Sequence, residues 1–180
     1  IQFGYDGRLA TVKKVSSYEI RQILTYAKNC NINLLDTSIE YGVSESELGK
    51  SGIEQWNVVT KLPSIPPNCG NLEKWVSQSI CGALDRLRIS ELYGLLLHNT
   101  NDLFGEKGNE LFSILVSFKS KGLLNKIGVS IYDPSELGQI MSRFSIDIVQ
   151  TPFNVFDQRI KASGWLDRLF ELDVEVHARS

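Results

Sequence analysis

Short apolar runs alternate with segments of helical periodicity along this chain, and this alternation is the feature that most constrains its fold. The runs occupy residues 1–4, 32–36, 58–61, 92–97, 126–130, 146–150 and 174–178. Strands that alternate with helices build a parallel sheet, because each helix crosses back over one face of the sheet. The sequence therefore predicts a single α/β domain over residues 1–180, with about seven strands and six helices.

The helical segments carry end signals of their own. A serine followed three residues later by glutamate forms a capping box, which predicts that helices start at Ser16 and at Ser44. Asp133, followed by a proline and then an acid, predicts another start. Gly122 suits a helix C-terminus, and a last helix is expected around residues 165–172. The clearest apolar stripe at the 3.6-residue period is formed by Leu72, Trp75, Val76, Ile80, Ala83, Leu84 and Leu87.

Four polar side chains stand at or just after the ends of three predicted strands. Asp36 ends one run, Tyr41 follows it by five residues, Lys61 ends the next run, and His98 directly follows the run after that. Barrels and open α/β sheets carry their chemistry at the carboxyl ends of parallel strands. Each residue alone has an ordinary interpretation as a cap, a packed loop residue, a surface charge or a polar group at the edge of the core. Their joint order favours a catalytic set.

This set resembles the catalytic tetrad of the aldo-keto reductases. The surrounding segments are similar to that family as well, in Asn33-Leu34-Leu35-Asp36-Thr37, Tyr41-Gly42-x-Ser44-Glu45-x2-Leu48-Gly49 and Ile127-Gly128-Val129-Ser130. The resemblance covers nearly the whole chain in the family's order. It implies a (β/α)8 TIM barrel that is incomplete as given.

The resemblance also implies a reaction, the reversible reduction of an aldehyde or ketone to an alcohol by hydride from NADP(H). Tyr41 would be the general acid, and the ammonium of Lys61 would favour the phenolate of a side chain whose ordinary pKa is about 10. Asp36 would pair with Lys61 and fix its orientation. His98 would donate a hydrogen bond to the carbonyl oxygen of the substrate, a small molecule.

The residues that would contact the cofactor match the family less closely. Ser130 and Gln150 stand where family members hold the nicotinamide amide, although Ile131 replaces an asparagine that often follows the serine. Arg179 stands where an aromatic residue commonly stacks on the nicotinamide, and a guanidinium plane can also stack. His177, within the last predicted strand, is interpreted as structural.

Charge and composition narrow the expected partners and location. The net charge of −2, with acids and bases well mixed, gives no electrostatic footprint for nucleic acid or an anionic membrane. No apolar run approaches the roughly 20 residues of a membrane span. The three cysteines are widely spaced and the histidines number two. These features predict reduced thiols, no metal site and a cytoplasmic protein.

The length of 180 residues is short for a complete barrel, which typically needs about 250. Seven predicted strands leave the closing unit unaccounted for, and an open parallel barrel would expose two sheet edges. We favour a chain that is part of a longer polypeptide. The alternative is a truncated form that pairs with a second copy to cover the open barrel edge.

Three functions are compatible with the sequence. The first is an active NAD(P)H-dependent carbonyl reductase. The second is a non-catalytic or regulatory nucleotide-binding protein on the same scaffold, or an inactive truncated remnant, because fold does not imply function. The third is another barrel enzyme, in which Lys61 forms a Schiff base with a carbonyl substrate. The third leaves the segments around Tyr41 and Gly128 unexplained, and the intact tetrad favours the first.

Overall fold

The sheet consists of six parallel strands, each paired with the next one along the chain. The computed structural model describes residues 15–179. The predicted strand at residues 1–4 lies outside the described residues. The strands are β1 (Leu34–Asp36), β2 (Asn57–Leu62), β3 (Leu92–Leu97), β4 (Leu124–Ser130), β5 (Ile148–Pro152) and β6 (Glu175–Arg179). This consecutive parallel order is that of the predicted (β/α)8 barrel, present here in part.

Helices connect the strands and lie against the outer face of the curled sheet. The connection between β5 and β6 contains two short helices, where the sequence predicted one. A 3-10 turn at Thr100–Leu103 follows β3. The α-helices are α1 (Ser17–Asn29), α2 (Ser44–Gly49), α3 (Leu72–Leu87), α4 (Gly108–Ser120), α5 (Glu136–Met141), α6 (Arg159–Ala162) and α7 (Trp165–Glu171).

Helix α3 buries the apolar stripe that its periodicity predicted. The side chain of Trp75 remains partly exposed at the edge of this stripe. Full burial of a leucine or isoleucine side chain stabilises a fold by about 1.5–3 kcal/mol, so this face fixes α3 firmly on the sheet. The buried residues are Leu72, Val76, Ile80, Ala83, Leu84 and Leu87.

Two of the predicted helix ends are confirmed. At the start of α1, the Ser16 hydroxyl accepts a hydrogen bond from the Glu19 amide, and the Glu19 carboxylate accepts one from the Ser16 amide. After α4, Gly122 adopts a φ of 73°, a left-handed conformation that suits glycine. The amide of Leu123 then bonds back to the carbonyl of Phe118, which closes the helix end.

The predicted start of α2 at Ser44 is confirmed, but its predicted capping box is wrong, and α5 starts later than predicted. Helix α2 is preceded by Val43 and has no side-chain cap, because the Ser44 hydroxyl lies 3.0 Å from the Thr37 hydroxyl and is used there. Helix α5 starts at Glu136, three residues after Asp133. The Asp133 carboxylate accepts a hydrogen bond from the Ser135 amide and so closes a turn before the helix.

Alternate residues of the strands build two apolar layers, as the period of two requires. Val58, Leu95 and Val149 face the helices, within the larger core. Val59, Leu96 and Ile148 form an inner apolar layer on the other face of the sheet. Glycine makes room for it, because a Cβ at Gly94 would lie 2.7 Å from the Ile148 side chain, and one at Gly128 would lie 2.4 Å from the Leu96 side chain.

Among residues 15–179, no helix is long and apolar enough to cross a bilayer.

Candidate active site

An ion pair between a buried lysine and a partly exposed aspartate joins the carboxyl ends of β1 and β2. The parallel register sets Asp36 opposite Val59, so Lys61 lies two residues further along the neighbouring strand. The ammonium of Lys61 lies 2.7 Å from each carboxylate oxygen of Asp36 and 3.0 Å from the carbonyl oxygen of Thr37. Three acceptors therefore match its three N–H donors. The Lys61 side chain is only 2% exposed, whereas that of Asp36 is 37% exposed.

The electrostatic setting of Lys61 is that of a desolvated cation. Burial lowers the pKa of Lys61 below its usual range, the Asp36 carboxylate opposes that shift, and the Arg179 guanidinium adds to the lowering. A low-dielectric environment disfavours an ammonium, and only a close carboxylate makes it tolerable there. The site is thus built around one buried cation with one partly solvated counter-ion.

Tyr41 lies beside this ion pair, on the loop between β1 and α2. Its amide bonds to the Ser38 carbonyl, and its own carbonyl accepts the amide of Ser44. Gly42 follows with a φ of 55°, which lets the chain turn sharply into α2. The Lys61 ammonium lies 5.4 Å from the centroid of the Tyr41 ring. The structure therefore brings together the phenol and the amine that the sequence placed at separate strand ends.

His98 approaches Tyr41 from the end of β3. Its amide bonds to the carbonyl of Leu62, which holds it beside the end of β2. The two rings meet edge to face, with their centroids 6.2 Å apart. The Nδ1 atom of His98 lies 2.8 Å from a carboxylate oxygen of Glu40, but it lacks the direction of a hydrogen bond. The four residues predicted as catalytic are thus neighbours at one edge of the sheet.

Two residues predicted to hold the cofactor are tied to the same ion pair. The Gln150 amide nitrogen donates to Asp36 Oδ1 over 2.9 Å, and the Ser130 hydroxyl lies 3.3 Å from the Gln150 amide oxygen. The Ser130 and Gln150 side chains are buried. No sequence signal indicated the link between Gln150 and Asp36, which stand 114 residues apart in the chain.

Arg179, the third predicted cofactor residue, ends β6. Its guanidinium carbon lies 4.4 Å from the centroid of the Tyr132 ring, and Nη2 donates to the carbonyl of Ile131 over 3.1 Å. Its Nε atom is buried without a hydrogen-bond partner among the described residues. Tyr132 was missed by sequence reasoning, although its position after the strand that ends in Ser130 is a usable signal.

A second polar group lies toward the amino-terminal ends of the strands. This lower cluster consists of Tyr93, Lys126, Glu175 and His177, in contrast to the upper cluster of Asp36, Lys61, Tyr41, His98 and Gln150. The Tyr93 hydroxyl donates to Glu175 over 2.6 Å, and the Lys126 ammonium bonds to the same carboxylate oxygen. His177 Nε2 lies 3.2 Å from the other oxygen of Glu175.

The protonation of the lower cluster follows from these bonds. The hydrogen bond to Glu175 and burial both raise the pKa of the Tyr93 phenol. Burial is the largest single influence on the pKa values of Lys126 and Glu175 and works against both charges, but their bonds to each other, to Tyr93 and to His177 together outweigh it. Those bonds raise the pKa of Lys126 and lower the pKa of Glu175.

Within residues 15–179, no group of histidine, cysteine and acidic side chains could hold a metal ion.

The fold and this geometry together define a TIM-barrel protein with its polar site at the carboxyl ends of the strands. A model of the aldo/keto reductase family matches residues 2–180. The chain belongs to that family, whose members are oxidoreductases. A comparison with curated proteins finds no match.

Solved structures share the fold. A Pseudomonas aeruginosa protein described as an aldo-keto reductase has 22% identity and a TM-score of 0.79, over 97% of this chain and 68% of its own. A thermostable aldo-keto reductase in complex with the inhibitor epalrestat has 23% identity and a TM-score of 0.75, with 98% and 65% covered. The holo form of a Bacillus halodurans aldo-keto reductase has 20% identity and a TM-score of 0.74, with 97% and 60% covered. The chain thus spans roughly two thirds of these proteins.

Proposed function

We propose that this chain reduces an aldehyde or ketone to an alcohol with hydride from NADP(H), and that Tyr41 is the general acid. The observation that carries the proposal is the arrangement around Lys61, which is 2% exposed, bonded to both oxygens of Asp36 and 5.4 Å from the Tyr41 ring. A buried cation is costly to maintain, and this one stands beside the phenol that would donate a proton.

Tyr41 would transfer its hydroxyl proton to the carbonyl oxygen as that oxygen becomes an alkoxide. The phenolate left behind is an anion near the ammonium of Lys61, which stabilises it. Asp36 holds the ammonium in place through two hydrogen bonds of 2.7 Å. The low dielectric around Lys61 strengthens this interaction relative to the same pair in water.

His98 would position the substrate. Its ring stands edge to face with Tyr41, so a carbonyl oxygen near the Tyr41 hydroxyl would also lie near the imidazole. An imidazole N–H that donates to this oxygen would orient the carbonyl and share its developing negative charge. The carbonyl compound is expected to be a small molecule.

The residues for the cofactor fit a nicotinamide. Ser130 and Gln150 are buried polar side chains next to the ion pair, and an amide can both donate and accept. Arg179 presents a guanidinium plane at the same end of the sheet, already stacked on Tyr132. When bound, the nicotinamide supplies the hydride.

The geometry weakens the Schiff-base alternative for Lys61. A lysine nucleophile must present a free amine to the carbonyl carbon. The Lys61 nitrogen instead has three acceptors within 3.0 Å, as an ammonium requires. Borohydride trapping on Lys61 with a carbonyl substrate would revive that alternative.

The test measures binding and turnover separately. NADPH binding is followed by its fluorescence during titration into the unmutated chain and into Tyr41→Phe. We expect both to bind NADPH, and only the unmutated chain to reduce a generic aldehyde. Tyr93→Phe is the matched control, because it removes the same hydroxyl from the lower cluster. Equal turnover by Tyr41→Phe, or no NADPH binding by the unmutated chain, would refute the proposal.

A further inference from the structure

A carboxylate that has no place in the mechanism above is buried directly behind the site. Glu45, on α2, is 2% exposed, although charged side chains are rarely buried unless they are paired. Its Oε1 accepts a hydrogen bond from the Thr60 hydroxyl over 2.7 Å, and its Oε2 accepts one from Arg86 Nε over 2.7 Å. The carboxylate therefore joins strand β2 to helix α3 from a position on α2.

The packing between α2 and α3 makes room for this ion pair. A Cβ at Gly49 would lie 2.2 Å from the backbone oxygen of Arg86, so the end of α2 abuts the last turn of α3. A Cβ at Gly82 would lie 3.0 Å from Arg86 Nη1. Glycine within a helix costs stability relative to alanine, and here its absent side chain leaves space for the guanidinium.

Glu45 is linked to residues that directly adjoin proposed catalytic residues, on β2 and on the loop that carries Tyr41. Thr60 directly precedes Lys61, and the two side chains leave opposite faces of β2. Ser44 directly precedes Glu45, and its hydroxyl lies 3.0 Å from that of Thr37, the residue after Asp36. The loop that carries Tyr41 is thus fastened at its start by Thr37 and at its end by Ser44 and Glu45.

We propose that Glu45 is a positioning residue, which fixes the Tyr41 loop relative to Lys61 through its bonds to Thr60 and Arg86. This proposal rests on the proposed function. The carboxylate accepts one hydrogen bond from Thr60 on β2 and one from Arg86 on α3, and these two bonds fix the position of α2 against both elements. The spacing of phenol and ammonium follows from that position. Turnover is sensitive to such spacing, because a displacement of about 1 Å can cost on the order of 10²-fold.

The first experiment compares kcat with KM in variants that keep the shape of the side chains. Glu45→Gln and Thr60→Val should each lower kcat about tenfold or more, with KM and NADPH affinity within about twofold. Thr60→Ser restores the hydroxyl and should restore kcat. Glu47→Gln is the matched control, because it removes a carboxylate two residues further along the same helix, where Glu47 pairs with Lys50. Folded Glu45→Gln and Thr60→Val with unchanged kcat would overturn the proposal.

A second measurement does not depend on turnover. Amide hydrogen exchange reports local opening, and we expect residues 37–43 to exchange about tenfold faster in Glu45→Gln than in the unmutated chain or in Glu47→Gln. The amides of α4 should not change. If the unmutated chain reduces no aldehyde, the proposed function fails, and the exchange in this loop still decides the role of Glu45. Unchanged exchange in residues 37–43 would refute that role.

Discussion

The upper and lower clusters contain nearly the same residue types and are connected in different ways. Each has a tyrosine, a lysine, a carboxylate and a histidine within the same sheet. In the lower cluster, Tyr93 donates directly to Glu175, and the Lys126 ammonium bonds to the same oxygen. In the upper cluster the carboxylate of Asp36 binds the lysine, and the tyrosine stands beside that lysine. The Tyr93 hydroxyl bonds to a carboxylate, whereas the Tyr41 ring lies 5.4 Å from an ammonium.

This difference sets what each phenol can do. A carboxylate partner favours the protonated phenol, and the pKa of Tyr93 is accordingly raised. A cation beside a phenol favours its anion and so eases loss of the proton. The two lysines also differ in burial, because the side chain of Lys61 is 2% exposed and that of Lys126 is 30% exposed. Residue types alone therefore do not define a catalytic site, whereas the order of their bonds does.

The largest expected effect tests the two lysines against each other. Lys61→Met should lower aldehyde reduction by about 10²–10⁴-fold, because the phenolate of Tyr41 loses its stabilising cation. Lys126→Met should change it less than about twofold, since Lys126 pairs with Glu175 at the other end of the strands. Steady-state rates with NADPH and a generic aldehyde check both. Comparable losses in the two variants would mean that the clusters are not functionally distinct.

The next largest effect is the loss of folding stability when the carboxylate of either cluster is removed. Asp36→Asn should destabilise the fold by about 3 kcal/mol, toward the lower end of the range for breaking a buried pair, because Asp36 is partly solvated. Urea unfolding at neutral pH measures the change. The double variant Asp36→Asn with Lys61→Met should recover most of the loss. Failure to recover would show that the loss does not come from an unpaired Lys61.

A smaller loss is expected in the lower cluster. Glu175→Gln should cost about 1 kcal/mol, since its partners are partly exposed and can find water when the charge is removed. Urea unfolding again measures it, and turnover should be unchanged. A loss as large as that of Asp36→Asn would contradict the distinction between a buried lysine in the upper cluster and a partly exposed one in the lower cluster.

The smallest effect is a difference in pH dependence, opposite in sign for the two lysines. The pKa of Lys61 is lowered in the folded state. Between that pKa and the unfolded value of about 10.4, the unfolded state therefore binds more protons than the folded state. In this pH range, stability relative to Lys61→Met should rise with pH. The pKa of Lys126 is raised, so stability relative to Lys126→Met is fully present below about 10.4 and should fall as pH rises through the folded value. Denaturant titrations at several alkaline pH values compare the slopes, and slopes of the same sign would contradict this account.

The sequence predicted the parts of the site that depend on strand ends. Asp36, Lys61 and His98 could be placed because parallel strands bring their carboxyl ends to one edge, and Tyr41 followed from its short distance to Asp36. The bond from Gln150 to Asp36 could not be predicted, since it depends on the curl of four further strands. The roles of these residues remain proposals, whereas their proximity is a feature of the fold.

Local signals failed where a side chain had a tertiary partner. The serine–glutamate spacing at Ser44 has the form of a capping box, but Ser44 instead pairs with Thr37. Glu45, next to it, was given no role of its own from the sequence and is buried against Thr60 and Arg86. A polar side chain near a helix start can bond to the nearby backbone or to a residue that is distant in the sequence. The sequence shows only the nearby partner.

The inner apolar layer between the two clusters limits the routes by which a proton could pass from one cluster to the other. Val59, Leu96 and Ile148 are fully buried and offer no side-chain donor or acceptor. A relay of hydrogen bonds needs such groups at every step, so none can pass through these side chains from the lower cluster to the upper one. Any such connection between the clusters must therefore run beside this layer, as along β6, where His177 pairs in register with Gln150 of β5.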